Sequence, residues 1–446
     1  MLSDTIYPAP SSAELRKHFL GKHISDLPSP SVILDEAVLK RNCERMLQAP
    51  KTFGIDFRAH VKTHKTIELT RLQLGKRRGG KLVVSTVREA EALAPLIKEG
   101  VVDDILYGVP LAPSAIPRLS ALSSAYPALT ISLLIDHPDQ LTPLLKSIAP
   151  GAKQWPLFIK LDVGSHRAGI EVATEGFKTL LGRIRFLELE TTGKVFLKGF
   201  YTHAGHSYSA TNATEVFTLL SEEIKAGELA MVSANKEFGL PKESSRKWTI
   251  SVGSTPTALS ITTMTKDPES TRTFAQDLGS LDKRCSLEVH AGVYTMLDLQ
   301  QLSTHAIPEP HSLGVKDIAI SVLAEVVSIY PGRGEGGSTE ALVAVGTTGL
   351  GREPGKEWPG WGAVSDWGMP GAGRTPKESG WVVDKISQEH GVLVEKVKGA
   401  GEKLKVGGKV RIWPQHACIA GNGHGWYFVV GPDNTVKDVW VRWRGW

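Results

Sequence analysis

Residues 56–65 read Asp56-Phe57-Arg58-Ala59-His60-Val61-Lys62-Thr63-His64-Lys65, and this stretch indicates how the fold begins. Residues 56–61 have the composition of a strand buried in a core, and a polar cluster with a lysine follows them at once. Seven further short apolar runs come before residue 292, separated by longer stretches with helical spacing. The eight predicted strands are Asp56–Val61, Leu82–Ser85, Asp104–Tyr107, Ile131–Ile135, Leu157–Asp162, Lys198–His203, Thr249–Val252 and Glu288–His290.

The alternation of strands with helical stretches predicts parallel βαβ units. One such stretch is Val87–Glu99, in which Ala90, Leu93 and Leu96 lie on one stripe. Eight units favour an α/β fold in which a (β/α)8 barrel of the TIM type closes on itself. A doubly wound open sheet is the structural alternative. We favour the barrel because polar, chemically capable residues follow the C-terminal ends of many strands, where such barrels build their sites.

After about residue 304 the pattern changes to runs rich in Val, Ile and Trp, separated by Gly or Pro, which predicts a second, mainly antiparallel β domain. We therefore predict a barrel domain over residues 30–303, and a β domain built from residues 1–29 together with 304–446. The stretch Gly351–Thr375 is predicted to be a long ordered loop. The predicted strands of the β domain are Ile318–Ser328, Glu340–Val345, Gly380–Lys385, Gly391–Val397, Lys409–Trp413 and Trp426–Val430.

Length and composition exclude several classes of protein. The 446 residues are too many for one ordinary core, and 41% hydrophobic and 22% charged residues are typical of globular proteins. The 52 basic and 47 acidic residues are mixed along the chain, so we expect no nucleic-acid partner. No apolar run approaches the roughly 20 residues that span a bilayer, so we expect no membrane association. Three scattered cysteines predict no disulfide framework, and we expect a cytoplasmic protein.

Two strand ends carry residues suited to a phosphorylated aldehyde. Lys62 closes the first predicted strand, and a lysine amine attacks an aldehyde when partial desolvation lowers its pKa. The alternative for Lys62 is an ordinary surface lysine. The turn Gly253-Ser254-Thr255-Pro256-Thr257 follows the seventh strand and offers backbone N–H groups and hydroxyls to a phosphate. Such a turn can also be a simple connection, although phosphate sites in these barrels often follow the seventh and eighth strands.

Two further pairs are spaced by two residues. Tyr201 and His203 point to one face of the sixth predicted strand, and we place both in the pocket, with ordinary rim packing as the alternative for Tyr201 and for Tyr208. His416 and Cys418 follow the predicted strand Lys409–Trp413, and in extended backbone they would share a face and bind one ion. Zn²⁺ suits an imidazole and a thiolate. The alternative is a buried cysteine that only packs in the core.

Several of these motifs resemble those of one family. The run Arg58–Lys65 closely resembles the cofactor-lysine motif of the eukaryotic D-serine dehydratase and D-threonine aldolase group, which are pyridoxal-phosphate enzymes of the alanine-racemase type, fold type III. Residues 162–169, Asp-Val-Gly-Ser-His-Arg-Ala-Gly, resemble the family pattern Asp-x-Gly-x-x-Arg-x-Gly. The turn at Gly253 resembles the family's phosphate-binding turn. The pair His416 and Cys418 matches the His-x-Cys of D-serine dehydratases, whereas D-threonine aldolases carry His-x-Asp.

The resemblance implies a set of functional residues. Lys62 would hold pyridoxal 5′-phosphate, and Zn²⁺ would bind to His416 and Cys418. Arg167 would face the cofactor ring or the substrate carboxylate. Where the family has an asparagine in the turn after the eighth strand this chain has Val293, so only backbone contacts are expected around Gly292. The full set of expected cofactor contacts is Lys62, Arg167, Tyr201, His203, Tyr208, Gly253, Ser254, Thr255 and Gly292.

The implied activity is that of a zinc- and pyridoxal-phosphate-dependent D-serine dehydratase, which eliminates the β-hydroxyl of D-serine to give pyruvate and ammonia. The substrate would be D-serine, with D-threonine as a further candidate, and the resemblance implies a homodimer. On the same scaffold, D-threonine aldolase or dehydration of 3-hydroxyaspartate are the alternatives. A non-catalytic pyridoxal-phosphate carrier is a different class, and the long β domain that bears His416 and Cys418 argues against it.

Overall fold

The structure is a computed structural model, and it describes residues 8–76, 78–148, 153–191, 193–266, 268–366 and 377–446. Its strands form two separate sheets. One is a closed barrel of eight parallel strands, and the other contains nine strands. The predicted combination of a TIM-type barrel with a second β domain is therefore confirmed.

The barrel closes because its last strand pairs with its first. Asp56 lies beside Glu288, and Ala59 beside Ala291, in parallel register. This pairing excludes the doubly wound open sheet. With β1 assigned to Ser31–Asp35 of the other sheet, the barrel strands are β2 (Asp56–His60), β3 (Gly80–Val84), β4 (Val102–Pro110), β5 (Thr130–Ile135), β6 (Trp155–Lys160), β7 (Val195–Tyr201), β8 (Trp248–Val252) and β9 (Cys285–Ala291).

Helices connect the barrel strands, and polar side chains that follow the strands cap their first turns. Thr86 follows β3 closely and accepts a 3.1 Å hydrogen bond from the Glu89 amide, which satisfies one of the free N–H groups of the helix. The α-helices of the described residues are α1 (Ser12–Phe19), α2 (Glu36–Thr52), α3 (Ile67–Leu74), α4 (Val87–Ala92), α5 (Ala94–Lys98), α6 (Ile116–Ala125), α7 (Leu141–Ser147), α8 (Glu175–Phe186), α9 (Ala213–Glu237), α10 (Thr255–Met264), α11 (Pro268–Ser280), α12 (Leu299–Leu302), α13 (Thr347–Leu350) and α14 (Ala417–Asn422).

The second sheet is mainly antiparallel, as predicted, because only the pairing of β1 with the strand Trp426–Val430 is parallel. Its remaining strands are β10 (Ile320–Tyr330), β11 (Glu340–Val343), β12 (Gly362–Ser365), β13 (Glu378–Ile386), β14 (Gly391–Glu395), β15 (Lys409–Pro414), β16 (Trp426–Val430) and β17 (Val436–Val441). The order across the sheet is β11-β14-β13-β12-β15-β10-β1-β16-β17, and a further pairing of β11 with β10 curls one part of it into a barrel-like shape.

Three strands of this sheet were not predicted. β12 lies within the predicted loop Gly351–Thr375, and residues 367–375 of that loop lie outside the described residues. β17 and β1 are short, and only their long-range partners identify them as strands. The predicted division of the chain at residues 30 and 304 stays a prediction, but β1 follows residue 30 and lies in the nine-stranded sheet, between β10 and β16.

The described part of the N-terminal segment packs on the second sheet. The rings of Phe19 and Phe428 meet edge to face with centroids 4.9 Å apart, and Arg16 forms a 2.6 Å ion pair with Asp438. Residues 1–7 of the segment lie outside the described residues. Across the ranges that the structure describes, no helix has the length and apolar character needed to cross a membrane.

The centre of the barrel holds a charged network. Arg58 is fully buried and forms 2.7 Å ion pairs with both Glu288 and Asp104. Burial alone would lower the pKa of Arg58, but the two carboxylates more than reverse this effect and raise it. Because each charge in the network has a partner, the network can occupy the interior, where an unpaired charge would be very costly.

We predict that Arg58→Met lowers the free energy of unfolding by about 3–5 kcal/mol, because it leaves the buried carboxylates of Glu288 and Asp104 without their main partner. Arg71→Met is the matched control, since the Arg71–Glu99 pair is largely exposed and worth about 1 kcal/mol or less. Urea unfolding followed by tryptophan fluorescence measures both variants. Equal losses in the two would contradict a stabilising role for the buried network.

Candidate active site

Lys62 lies in the turn after β2, at the C-terminal rim of the barrel. The turn is fixed through Lys65, which has a φ of 52° and whose Nζ lies 3.0 Å from Oε1 of the buried Glu89. The carbonyl of Lys65 also accepts a 2.8 Å hydrogen bond from the amide of Trp443, beyond the last strand of the second sheet. Lys65 is thus engaged in the scaffold, whereas the Lys62 side chain is partly exposed beside the buried His60.

Three buried imidazoles lie within electrostatic range of Lys62. They belong to His60, His203 and His290, and burial followed by nearby positive charge, including that of Lys62, holds the pKa of each well below its ordinary value. The ring of Tyr201 stacks on His290 with centroids 4.1 Å apart. The rim of the barrel therefore presents neutral aromatic rings next to a lysine.

Two of these imidazoles, those of His203 and His290, have one ring nitrogen that is engaged and one that has no hydrogen-bond partner among the described residues. The Nδ1 of His203 donates to the carbonyl of Gly253 at 2.8 Å, which makes its Nε2 a bare acceptor. The Nδ1 of His290 lies 3.0 Å from the Ser251 hydroxyl. Within the described residues, neither Nε2 atom has a hydrogen-bond partner. Buried polar atoms without partners call for an explanation, and a bound group at this rim would provide one.

The turn between β8 and α10 gathers hydroxyls at a helix N-terminus. Ser254 caps the helix, and its Oγ lies 2.7 Å from the Oγ of Ser207. The amide of Val293, in the next turn, donates to the Oγ1 of Thr255 at 3.1 Å, so the turns after β8 and β9 are tied together. Free N–H groups at a helix N-terminus and adjacent hydroxyls suit a phosphate.

Glycine is required at one position of this turn. The φ of Gly253 is 138°, and a Cβ there would lie 2.3 Å from the carbonyl oxygen of His290. A Cβ on Gly292 would lie 3.0 Å from the carbonyl oxygen of His60, which is tight but less severe. The two glycines therefore allow these turns to pack closely against the neighbouring backbone, that of His290 for Gly253 and that of His60 for Gly292.

Tyr208 and Arg167 lie farther around the same rim. The Tyr208 hydroxyl hydrogen-bonds with the Thr255 amide and hydroxyl, and burial raises its pKa. Arg167 is exposed in the loop after β6. Burial raises the pKa of Tyr201, and the charge of Arg167 opposes that rise, so Arg167 lies close enough to influence the site.

The structure adds two buried charged groups that the sequence did not identify. Oε1 of Glu223, on α9, accepts the amide of Ala204 at 2.8 Å and the amide of Gly253 at 3.2 Å. Glu223 thereby links the loop that carries His203 to the turn at Gly253. Lys160, at the end of β6, is buried, and this burial lowers its pKa to about 8. Only spatial neighbours distinguish these residues from ordinary surface charges, so sequence alone carried no signal for them.

His416 and Cys418 lie against the Lys62 turn. The Sγ of Cys418 is 3.2 Å from the Oγ1 of Thr63, the residue after Lys62. His416 is the N-cap of the short helix α14, and Cys418 lies within the helix. The expectation of extended backbone for this pair was wrong, because the chain turns into a helix directly after His416. The two side chains are close nonetheless, since each shifts the pKa of the other.

The pKa values of Cys418 and His416 are shifted in opposite directions. Burial alone would raise the pKa of Cys418, but His416, Lys62 and Thr63 lower it below its ordinary value. Burial alone would lower the pKa of His416, but Cys418, Asp298 and Glu353 raise it to about 10. A thiolate beside an imidazole is a donor set that suits a borderline-soft divalent ion.

The buried Asp298 holds this segment against the barrel. Its Oδ2 accepts the amide of Ala417 at 2.7 Å, and its Oδ1 accepts the amide of Gln301 at 2.8 Å. The link is reinforced by the Gln300 amide, which donates to the Gln415 carbonyl at 3.1 Å. The segment that carries His416 and Cys418 is therefore fixed relative to the turn of Lys62.

Comparisons with known proteins agree with this architecture. Residues 34–243 match the family model of the alanine racemase N-terminal domain, and residues 319–430 match that of a serine dehydratase domain. The chain is 39% identical to the D-serine dehydratase of Schizosaccharomyces pombe, over 100% of this chain and 98% of that protein. It is 34% identical to the D-serine dehydratase of Saccharomyces cerevisiae, over 97% and 100% of the two chains.

A solved structure of similar fold is D-threo-3-hydroxyaspartate dehydratase from Delftia sp. HT23, with a TM-score of 0.73 and 27% identity over 95% of this chain and 100% of that one. A variant of that enzyme in which a cysteine is replaced by alanine is described as being in the metal-free form, and it aligns with the same TM-score. The fold and the matches define an enzyme of the alanine-racemase type, a class that depends on pyridoxal phosphate. Within this class, the chain belongs to the D-serine dehydratase family, whose members are lyases.

The structure thus gathers the predicted residues at one rim, while their roles stay predictions. One local expectation needs correction. The sixth predicted strand reached His203, but β7 ends at Tyr201, so His203 lies in the turn beyond the strand. Its ring enters the pocket because Nδ1 is tied to Gly253, not because of strand periodicity.

We predict that Glu223→Ala weakens the binding of pyridoxal phosphate and lowers the free energy of unfolding by about 1–3 kcal/mol, because two buried amides lose their acceptor. Glu222→Ala, on the exposed face of the same helix, should change neither quantity. Equilibrium dialysis of the cofactor and urea unfolding provide the measurements. Wild-type cofactor affinity in Glu223→Ala would show that Glu223 does not organise the turn.

Proposed function

We propose that this chain is a D-serine dehydratase that holds pyridoxal 5′-phosphate on Lys62 and zinc on His416 and Cys418, and converts D-serine to pyruvate and ammonia. One observation carries the proposal. Cys418 contacts Thr63, so the candidate metal donors lie directly against the turn of the candidate cofactor lysine. The 39% identity to a D-serine dehydratase over the whole chain supports the same substrate.

The residues around Lys62 suit the cofactor. The N-terminus of α10, with Ser254 and Thr255, would hold the phosphate, and the close packing that Gly253 allows against His290 fixes this turn. The unpartnered imidazole nitrogens at this rim offer acceptors for the polar groups of the ring. The contacts proposed at the rim are Arg167, Tyr201, His203, Tyr208, Gly253, Ser254, Thr255 and Gly292.

The chemistry divides between cofactor, metal and protein. When bound, pyridoxal phosphate supplies the electron sink and zinc supplies a Lewis acid for the β-hydroxyl. Lys62 removes the proton from Cα as the general base, since the other lysine of the turn, Lys65, is held in an ion pair with Glu89. His416 and Cys418 are two protein ligands and would leave coordination positions open, as catalytic zinc sites require. The neutral imidazoles limit competing positive charge near Lys62.

The alternatives on this scaffold differ in product. A D-threonine aldolase would release glycine and acetaldehyde from D-threonine, and a 3-hydroxyaspartate dehydratase would release oxaloacetate. The thiolate at position 418 favours dehydration, because the resemblance assigns His-x-Asp to the aldolases. Product assays with D-serine, D-threonine and 3-hydroxyaspartate separate the three activities. We further propose a homodimer in the cytoplasm, and sedimentation velocity tests its oligomeric part.

We predict that borohydride reduction fixes the cofactor to the peptide containing Lys62, in the wild type and in Lys65→Ala. Lys62→Ala should retain no covalent cofactor and lose about 10²–10⁴-fold in kcat, since the Cα proton has no base. Peptide mass spectrometry and the pyruvate assay give the two readouts. Labelling at Lys65 would contradict the assignment.

We predict that Cys418→Ala loses zinc and D-serine dehydration but retains the cofactor on Lys62, because the residues proposed to hold the cofactor are unchanged. Cys418→Asp should favour harder ions such as Mn²⁺ over zinc. Cys285→Ala is the matched control, since this cysteine lies at the opposite end of a barrel strand. Metal analysis per protomer decides: stoichiometric zinc in Cys418→Ala would exclude Cys418 as a ligand. Chelation of the wild type should abolish dehydration, and Zn²⁺ should restore it.

A further inference from the structure

The carboxylate of Glu353 contacts the Nδ1 atom of His416. Glu353 lies between α13 and β12, 63 positions before His416, and its side chain is partly buried, with 37% exposed. The proposed chemistry assigns it no role. A carboxylate on the ring nitrogen of a candidate metal ligand nevertheless determines which way that ring is turned.

The contact leaves one ring nitrogen for the metal. Because Nδ1 of His416 is engaged by Glu353, Nε2 is the ring nitrogen that remains available to a metal ion. A carboxylate that accepts from Nδ1–H fixes the tautomer in which Nε2 carries a free lone pair. The same hydrogen bond increases the basicity of the imidazole as a ligand.

The segment around Glu353 is held independently of this contact. The side-chain amide of Gln415, next to His416, donates to the carbonyls of Trp358 at 2.8 Å and Gly360 at 2.9 Å. On the other side, a Cβ on Gly351 would lie 2.8 Å from Ile419, which shows how closely the chain passes α14. The segment therefore packs against both flanks of the His416–Cys418 pair and delivers Glu353 to a defined position.

We infer that Glu353 is a positioning residue that orients His416 and strengthens zinc binding at His416 and Cys418, an inference that rests on the proposed function. Asp298 and Glu353 then act on different parts of the pair. Asp298 fixes the backbone at Ala417, whereas Glu353 fixes the imidazole ring. Neither residue need touch the ion or the substrate.

The test compares Glu353→Ala and Glu353→Gln with Glu357→Gln as the matched control. Glu357 belongs to the same segment, and its carboxylate also contacts a histidine, the Nε2 atom of His305, at a similar exposure of 41%. Zinc affinity is measured by competition with a chromophoric chelator. Co²⁺ substitution reports thiolate and imidazole coordination through its absorption spectrum. Circular dichroism and cofactor content verify that each variant is folded and loaded.

We expect Glu353→Ala to weaken zinc binding about 10–100-fold, the usual effect of losing such a partner. Glu353→Gln, which keeps an acceptor oxygen but not the charge, should lose less, and Glu357→Gln should bind like the wild type. Wild-type affinity in Glu353→Ala would overturn the inference and leave the proposed function intact. A wild-type protein that binds no zinc would contradict the proposed function, and the inference with it.

Discussion

The candidate active site depends on the junction at Asp298. This carboxylate is buried, and burial raises its pKa to about 6, so it is retained there at a cost. Two amide hydrogen bonds offset the cost, one from Gln301 in the last helix of the barrel and one from Ala417 at the start of α14, between β15 and β16. Without that link, fewer contacts would hold the segment of His416 and Cys418 against the turn of Lys62.

The two sheets contribute different kinds of groups at this junction. The barrel presents neutral buried imidazoles, hydroxyls and helix N–H groups around Lys62, a surface suited to an aromatic phosphate. The segment after β15 presents a cysteine and a histidine, with pKa values shifted in opposite directions. These two sets of groups arise from separate parts of the chain, the barrel loops and the helix between β15 and β16.

Sequence predicted the parts of the molecule that periodicity and short motifs determine. The eight barrel strands and the turn at Gly253 follow from such local patterns, and so does the His416–Cys418 pair. Glu223 and Glu353 could not be found in this way, because each acts on residues far along the chain. The predicted conformation at Cys418 was wrong for a related reason. The capture of the Ala417 amide by Asp298 starts a helix where two-residue spacing indicated a strand.

Within and just after β2, one residue contributes to stability and another to the proposed function. Arg58, inside the barrel, belongs to a fully paired ion network with Glu288. Lys62, four residues later, lies beyond the strand, where the chain is free to leave a side chain partly exposed. Strand periodicity determines that Arg58 points into the barrel, and the contacts of the turn determine where Lys62 lies. Lys160, at the end of the barrel strand β6, is buried, whereas the turn after β2 leaves the Lys62 side chain partly exposed.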